Sequence, residues 1–464
     1  MMNVEERRYS YQVYYPNEDS LVRAGFARVA HLPCILDSRL RYHRLASRFI
    51  QDRALGLWEP VNHGEVLRAR PLADQSVRTI AFALANCLEW GEIRGVDFLT
   101  AEYVQDLLGR YQHEMLKGSW SATGKGLEAS TINSRVGVGT QYCTWLADKK
   151  LRGPFVIPTE IRKLPPNGGR FGATPKRDQY ETRQGKVQVK KTRLAFPSEQ
   201  DIGRWLHSAY SKPEIGSTVG LMAETVLDTA LREAEICGLR VDTLPWEPSE
   251  WRVASRDVPL EQQMVLLDVR FGAKGHQYGK DHGDKIGPEK PFRIPMPLAL
   301  KLHEYREKIR PKVLAKAIKK GKTLAAQQQI RDEAVQIFLN PKTGRKYTTS
   351  QFYDEWRRTP GCPKGWSPHK GRHWWACQTL WKRMEQQREA WLAGVGRGLE
   401  DTVRQSVHAS VMSVIQIEIK SQLRHVSWET SMIYLQWVFD RLGIAHNVHD
   451  KYLQSIADDE DESD

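Results

Sequence analysis

An abrupt change of composition at residues 160–195 limits how this chain can fold more than any other feature. The stretch contains a Pro-Pro and a Gly-Gly pair, and it carries ten Lys or Arg against three Asp or Glu. Adjacent prolines and glycines interrupt helices and strands and usually mark a connection. The sequence therefore predicts two folded parts joined by a basic linker at 156–195, whose charge suits a phosphate backbone and equally suits a solvated tether.

Helical periodicity dominates the part that precedes the linker. Apolar residues recur at i, i+3, i+4 and i+7 in three segments, which begin near Ser76, Thr100 and Ser130. The latter two residues are candidate N-caps. We predict a small helical domain at 71–155. Residues 1–70 are aromatic and arginine-rich but weakly periodic, and we interpret them as an N-terminal arm of unknown role.

The part that follows the linker mixes helical patterns with two short strand patterns. The segments QQMVLLDVRFGAKG and EKPFRIPMP flank a polar, glycine-rich turn, as two paired strands would. Residues 378–420 form a long, mixed helical pattern. The predicted fold class is mainly α with a small β-sheet (α+β), with a larger domain at 196–447 and an acidic tail at 448–464.

The balance of charge points to a polyanionic partner. The 464 residues include 69 Lys or Arg and 56 Asp or Glu, a formal net charge of +13. A basic excess of this size favours nucleic acid. The six cysteines are scattered, and the chain contains no secretory or membrane-like apolar run and no nucleotide-binding fingerprint. We predict a cytoplasmic, nucleoid-associated protein without cofactor, metal or membrane partner.

Six residues in the second part could together perform phosphoryl chemistry: Arg232, Lys274, His369, Arg372, His425 and Tyr434. Each has an ordinary interpretation, such as a surface ion pair, a solvated turn lysine or a tyrosine packed in a core. His369 and Arg372 are spaced i, i+3, which places them on one helical face. The order of the whole set within a basic chain is more specific than any single residue.

This order resembles the catalytic domain of the tyrosine recombinase (phage integrase) family over residues 196–440. The family's first box reads approximately TGLRxxELxxLxxxD, and TALREAEICGLRVD matches it at Thr229, Leu231, Arg232, Glu235, Leu239 and Asp242. The family's GKGxK hairpin is similar to GAKG, its HxLRH box to HKGRH, and its LGHxxxxxTxxYxH box to LRHVSWETSMIYLQ. The preceding helical domain resembles the core-binding domain of the family.

The resemblance implies a site-specific recombinase that cleaves DNA through a covalent 3′-phosphotyrosyl intermediate on Tyr434, for integration or excision of a mobile element. Arg232 and Arg372 would bind the non-bridging phosphate oxygens with their fork-shaped donors. His369 would assist proton transfer, and His425 would add a donor. Lys274 would protonate the leaving 5′ oxygen, the role of the hairpin lysine in the family. Glu235 would orient the first box.

Three departures from the family pattern affect the expected geometry. Arg424 stands where the last box has glycine, and the interval from Arg372 to the last box is long. Lys280 and Lys285 compete with Lys274 as the hairpin lysine.

The implied partners are double-stranded DNA, a homotetramer on synapsed DNA and accessory DNA-bending or directionality proteins. The alternative functions are a catalytically idle DNA-binding relative and a strand-passing enzyme of the type IB topoisomerase or telomere-resolvase kind.

Overall fold

A computed structural model of the chain describes residues 10–60, 71–163, 179–189, 193–275, 277–424 and 428–443. The chain divides into two compact units, unit 1 at Met1–Lys191 and unit 2 at Thr192–Asp464. Helices dominate both units, and the sheets are small and antiparallel. This composition confirms the predicted fold class, mainly α with a small β-sheet.

Unit 1 is a helical bundle with two short antiparallel strand pairs, β1 with β2 and β3 with β4. Its elements in chain order are β1 (Gln12–Tyr14), α1 (Glu18–Arg23), β2 (Cys34–Leu36), α2 (Arg44–Ala54), α3 (Asp74–Arg94), a π-helix (Tyr103–Gln112) continued by α4 (His113–Lys117), α5 (Ala129–Asp148), β3 (Thr159–Lys163) and β4 (Gln179–Arg183).

The three predicted helices of unit 1 are present, but two of their predicted caps are wrong. Thr100 lies in a turn before the π-helix, where its hydroxyl donates to the Asp97 carbonyl at 3.2 Å. Ser130 lies inside the first turn of α5, which is capped by the backbone of Glu128. In both places the residue at the N-cap position is a glutamate, Glu102 or Glu128, whose side chain makes no capping hydrogen bond.

The predicted N-terminal arm and the predicted linker, which the sequence analysis assigned outside the helical domain, both contribute residues to unit 1. Phe49 and Ile50, from the predicted N-terminal arm, are fully buried in the same core as Trp90 and Trp145. The predicted linker supplies both strands of the β3–β4 pair. The described parts of the arm and the linker are therefore folded with the helices of unit 1.

Unit 2 surrounds a three-stranded antiparallel sheet of order β5-β7-β6 with helices. Its elements in chain order are α6 (Glu199–Tyr210), α7 (Gly216–Thr229), α8 (Glu233–Cys237), β5 (Met264–Phe271), β6 (Lys280–Asp281), β7 (Asp284–Pro295), α9 (Met296–Glu304), α10 (Arg310–Lys319), α11 (Leu324–Glu333), α12 (Thr349–Arg358), α13 (Pro368–Arg383), α14 (Glu385–Gly396), α15 (Glu400–Val414), α16 (Lys420–Leu423) and α17 (Trp428–Leu442). Short π-helical turns precede α10 and α16.

Two hydrophobic cores in unit 2 hold the elements that carry the candidate residues. In the larger core, α7 packs against the sheet and against α12, with Trp205, Trp356 and Trp366 fully buried. The second core joins α13 to α17 through α14 and α15, and these helices occupy the long segment predicted at 378–420. Helix α17 therefore packs against α13, α14 and α15.

Two further sequence predictions concern the acidic tail and the absence of membrane-spanning helices. The predicted acidic tail, 448–464, lies outside the described residues. Within the described part of the chain, none of the helices is both long enough and apolar enough to cross a bilayer.

Candidate active site

Arg232 is held at the junction of α7 and α8 by a buried carboxylate. It caps α8, and its main-chain N–H donates to Glu235 at 2.7 Å while its guanidinium donates to the same carboxylate at 3.0 Å. Glu235 is fully buried, whereas the Arg232 side chain is 24% exposed. The carboxylate thus fixes the stem of Arg232 and leaves part of its guanidinium accessible.

Helix α13 presents the second basic group. Ser367 caps the helix by accepting from the Lys370 N–H at 3.3 Å, and Gly371 allows close packing because an added Cβ would lie 3.2 Å from Trp356 and from Leu227. Arg372 follows, and it is only 6% exposed. Its position deep in the unit results from this close approach of α13 to α7 and α12.

The guanidiniums of Arg232 and Arg372 meet at one oxygen atom. The Leu423 carbonyl accepts from Arg372 Nη2 at 2.6 Å and from Arg232 Nη2 at 3.3 Å. Arg372 also donates to the Ala230 carbonyl. Burial, reinforced by the charge of Arg232, lowers the pKa of Arg372 to about 9. A guanidinium so destabilised by its surroundings gains more from an approaching anion than an exposed one does.

Arg424 adds a third guanidinium to this group. Its side chain is 2% exposed and donates to Glu235, which therefore forms ion pairs with both Arg232 and Arg424. Burial lowers the pKa of Arg424, and Glu235 opposes the shift. Among the described residues, the ion pairs of Arg232 and Arg424 go to Glu235, whereas Arg372 donates to main-chain carbonyls. The group therefore holds three cations against one carboxylate.

Two of the non-glycine residues with a backbone conformation that favours glycine lie at this arginine cluster. Ala230 has φ +54° and Arg424 has φ +56°, both in the left-handed region. The family boxes quoted above have glycine at both positions. At Arg424 this left-handed backbone carries a buried side chain.

Tyr434 is packed in the core between α13 and α17, with its ring 1% exposed. Its hydroxyl lies 2.9 Å from Nδ1 of His373, and Nε2 of His373 lies 3.1 Å from Nε2 of His369. Burial raises the pKa of the Tyr434 phenol above its usual value, and Arg372 opposes that shift. The tyrosine is thus both a core residue and the end of a hydrogen-bonded chain.

His369 and His373, the two histidines hydrogen-bonded in line with Tyr434, are both held neutral. Burial, with contributions from His369 and Arg372, lowers the pKa of His373 to about 4. Burial, with Arg372 and Arg232, also lowers the pKa of His369. Neutral imidazole has one nitrogen that donates and one that accepts, so each ring can pass a proton along the chain.

The structure brings Arg232, His369, Arg372 and Tyr434 into one cluster, whereas His425 lies outside the described residues. The residue-by-residue analysis did not single out His373, although it is the last histidine of the HKGRH segment. Its signal was its i, i+4 spacing from His369, which places the two on one helical face.

The candidate lysine Lys274 lies in the turn after β5, and its side chain is exposed. Gly272 in the same turn has φ +72°, and an added Cβ would lie 2.1 Å from the Ala234 carbonyl oxygen of α8. This contact holds the turn beside the helix that Arg232 caps. Of the competing lysines, Lys285 donates to the Gly275 carbonyl at 2.8 Å, and Lys280 lies opposite it in the β6–β7 pair.

The described side chains form no cluster of three or more His, Cys, Asp or Glu with metal-binding proximity. The cysteines are unpaired thiols, and four of them are buried.

Comparisons with known proteins give structural matches only. No family model and no curated protein matches the chain. Among solved structures, it matches the XerH site-specific recombinase bound to palindromic difH substrate with 13% identity, 88% of this chain, 95% of that chain and a TM-score of 0.47. It matches the Tn1549 transposon integrase (residues 82–397) in complex with circular intermediate DNA with 12% identity, 84% of this chain, 94% of that chain and a TM-score of 0.43.

A third match is the XerA recombinase, with 11% identity, 86% of this chain, 98% of that chain and a TM-score of 0.28. At such low identities the chemistry of this chain has to be inferred from its own side chains. The structural matches are to recombinases and an integrase, the group of proteins that the sequence motifs resemble.

Proposed function

We propose that this chain is a site-specific DNA recombinase that cleaves and rejoins DNA strands through a 3′-phosphotyrosyl bond to Tyr434. The observation that carries the proposal is the convergence of Arg232 and Arg372 on one oxygen, with His369 and Tyr434 in the same cluster. Two forked cations directed at a single oxygen are an arrangement suited to a phosphodiester.

The charge of the cluster supports a phosphate ligand. Arg232, Arg372 and Arg424 carry three positive charges, and Glu235 supplies one negative charge. Buried uncompensated charge is costly unless it is paired. A bound phosphodiester would offset part of the excess, and a transition state with more negative charge on the phosphate would offset more. Interactions that strengthen in this way accelerate the reaction.

The proposed reaction gives each of these groups one step. Tyr434 attacks phosphorus and loses its proton, the P–O5′ bond breaks, and the arginines stabilise the charge on the non-bridging oxygens. Lys274, or another lysine of the hairpin, protonates the departing 5′ oxygen. His425 would add a donor to the phosphate. The phosphotyrosyl bond conserves the energy of the broken phosphodiester, so rejoining is the same step in reverse.

The proposal extends to assembly and biological role. Exchange between two duplexes requires four strand cleavages, and each site performs one, so four protomers would act together. Integration or excision of a mobile element, aided by accessory DNA-bending or directionality proteins, is the role that the resemblance implies. The formal charge of +13 suits a double-stranded DNA partner.

Two other functions use part of the same site. A catalytically idle DNA-binding relative would have no need of Tyr434 hydrogen-bonded to a histidine pair beside two converging arginines. A type IB topoisomerase or telomere-resolvase shares the cleavage chemistry, and it is distinguished by relaxing or closing DNA ends instead of exchanging strands between duplexes.

The test is covalent trapping on nicked suicide substrates drawn from the DNA that flanks the gene. Tyr434→Phe should abolish the denaturant-resistant adduct while DNA affinity is retained, because it removes one hydroxyl and little packing. Tyr305→Phe is the matched control. Tyr305 is also buried in unit 2 and its hydroxyl is also hydrogen-bonded, 2.9 Å from Thr218, but it lies in the other core.

The proposal predicts that peptide mapping of the wild-type adduct finds Tyr434, and that the control variant keeps the adduct. Adducts formed by Tyr434→Phe at the wild-type level would assign the nucleophile to another residue. Recombination of two duplexes, compared with relaxation of a supercoiled plasmid, then separates recombinase from topoisomerase.

A further inference from the structure

The hydrogen-bonded chain of Tyr434, His373 and His369 contains a residue to which the proposed reaction has so far given no role. His373 lies between the other two, bonded through Nδ1 to the phenol oxygen at 2.9 Å and through Nε2 to His369 at 3.1 Å. The rings of His373 and Tyr434 are 5.6 Å apart, and those of His373 and His369 are 4.6 Å apart. His369 therefore reaches the tyrosine through His373.

The two contacts restrict the tautomers of the histidines. If the phenol donates to Nδ1 of His373, then Nε2 of His373 carries the hydrogen and donates to Nε2 of His369. The hydrogen of neutral His369 is then on its Nδ1. Each ring has one donor and one acceptor, so the chain can form without any charged imidazole. This arrangement leaves the phenol proton directed at a free lone pair.

We propose that His373 is the catalytic base that accepts the proton of Tyr434, and that it passes a proton on to His369. The proposal rests on the recombinase function proposed above. As the bond from the phenol oxygen to phosphorus forms, the phenol proton moves to Nδ1 of His373 and the Nε2 proton of His373 moves to Nε2 of His369. His373 ends neutral, His369 ends as imidazolium, and the P–O5′ bond breaks with its electrons on the 5′ oxygen.

The direction of transfer follows from the charges around His369. Arg372 and Arg232 disfavour a positive charge there, and the same arginines face the proposed phosphate. A phosphodiester at the arginines carries a negative charge that opposes their effect on His369. His373 is one ring farther along the chain, so the proton is better stabilised on His369 than on His373 while DNA is bound.

The relay runs backwards during rejoining. When the 5′ hydroxyl attacks the phosphotyrosyl bond, Tyr434 departs as a phenolate. Imidazolium His369 returns a proton through His373, and the phenol is restored. One pair of histidines thus serves both half-reactions without exchanging protons with water in the core around Tyr434.

A tyrosine analogue separates this role from packing. A fluorinated tyrosine, which ionises at lower pH, is incorporated at position 434 by genetic-code expansion. His373→Gln with natural tyrosine should slow single-turnover cleavage by about 100-fold or more, the usual contribution of a positioned base. Fluorotyrosine at position 434 should raise the single-turnover cleavage rate of His373→Gln at least tenfold, because an ionised phenol needs no base. DNA affinity, measured in parallel, should stay within about twofold.

His207→Gln is the matched control, because His207 is an exposed histidine of α6 away from the cluster. It should leave the cleavage rate unchanged with either tyrosine. A 5′-bridging phosphorothiolate, whose sulfur leaves without a proton, should not rescue His373→Gln. Rescue by that substrate would overturn the proposal, since it would place His373 on the leaving-group side.

Two further results would also overturn the relay: cleavage by His373→Gln at the wild-type rate, or a slow variant that fluorotyrosine fails to improve. Neither touches the recombinase function, which stands or falls on the wild-type adduct at Tyr434. If His373→Gln does not fold, fluorotyrosine in the otherwise natural chain decides. The solvent deuterium isotope effect on the cleavage rate should fall towards one in the fluorotyrosine protein. An isotope effect equal to that of the protein with natural tyrosine would contradict proton transfer from Tyr434.

Discussion

Replacing Glu235 with Gln tests the charge of the arginine cluster directly. The substitution keeps the volume of the side chain and one acceptor oxygen, but it removes the carboxylate with which Arg232 and Arg424 form their ion pairs among the described residues. Because Glu235 is fully buried, water cannot replace the lost charge. Removing one partner of a buried ion pair typically costs about 3–5 kcal/mol. We expect a loss of stability in that range.

The same reasoning predicts a stronger response to anions. Inorganic sulfate is a tetrahedral dianion that can take the place of a phosphate at Arg232 and Arg372. A ligand that binds only the folded state at 100 times its Kd stabilises by about 2.7 kcal/mol. In Glu235→Gln the cluster has lost its internal counter-charge, so sulfate should recover a larger share of stability than it adds to the wild-type protein.

The assay is urea unfolding of both proteins with and without sulfate, with the free energy of unfolding as the readout. Sulfate also stabilises folded proteins in general by exclusion from their surface, so a control variant is required. Glu355→Gln serves this purpose. Glu355 pairs with Lys212 at 2.8 Å in the same unit, and both side chains are partly exposed. It should cost about 1 kcal/mol and leave the sulfate response unchanged.

Two outcomes would contradict the charge argument. One is a stability of Glu235→Gln within about 1 kcal/mol of the wild-type protein. The other is a sulfate response equal to that of Glu355→Gln, which would mean that the arginines do not present an anion site.

Three further predictions concern individual side chains. Arg372→Lys should lose cleavage but keep DNA affinity in a gel-shift assay, because an ammonium cannot donate a fork to phosphate; undiminished cleavage would remove Arg372 from the site. A 5′-bridging phosphorothiolate should restore cleavage to the true general-acid variant, and we expect this for Lys274→Ala and not for Lys280→Ala or Lys285→Ala. The pKa of His373 is about 4 in the folded chain, below its usual ~6.5, so only the unfolded chain gains its proton between these values. The stability from this histidine should therefore be present above pH ~6.5 and fall by at most about 3 kcal/mol as the pH drops to 4. Urea unfolding should show that fall to be smaller in His373→Gln.

Local patterns were enough to predict the secondary structure that carries the site. The apolar period predicted α3 and α13, and alternation around a glycine-rich turn predicted the β5–β7 pair. The i, i+3 spacing of His369 and Arg372 placed both on one face of α13. These features depend on neighbours within one or two turns of helix or within one hairpin, where residue type alone determines much of the structure.

Contacts between distant segments could not be predicted in the same way. The Leu423 carbonyl is 191 positions along the chain from Arg232, and Tyr434 is 61 positions from His373. Their meeting depends on how α16 packs against β7 and on how α17 packs against α13 and α15, which no local period encodes. The pairing of Arg424 with Glu235 also escaped prediction, because a charged residue at a glycine position indicates exposure, and here the left-handed backbone turns the side chain inward.

The Leu423 carbonyl links this inward turn to the proposed chemistry. It accepts from both Arg232 and Arg372, and it immediately precedes Arg424, whose left-handed backbone ends α16. A phosphate oxygen that binds between the same two guanidiniums replaces a carbonyl dipole with a full negative charge. The exchange favours the phosphate when these charge-assisted hydrogen bonds outweigh the free energy of desolvating the phosphate. The released carbonyl must then find another donor or water, because an unpaired buried carbonyl costs about 1–3 kcal/mol. A phosphate that binds between these two guanidiniums would therefore require the Leu423 carbonyl, beside the backbone turn at Arg424, to change partners.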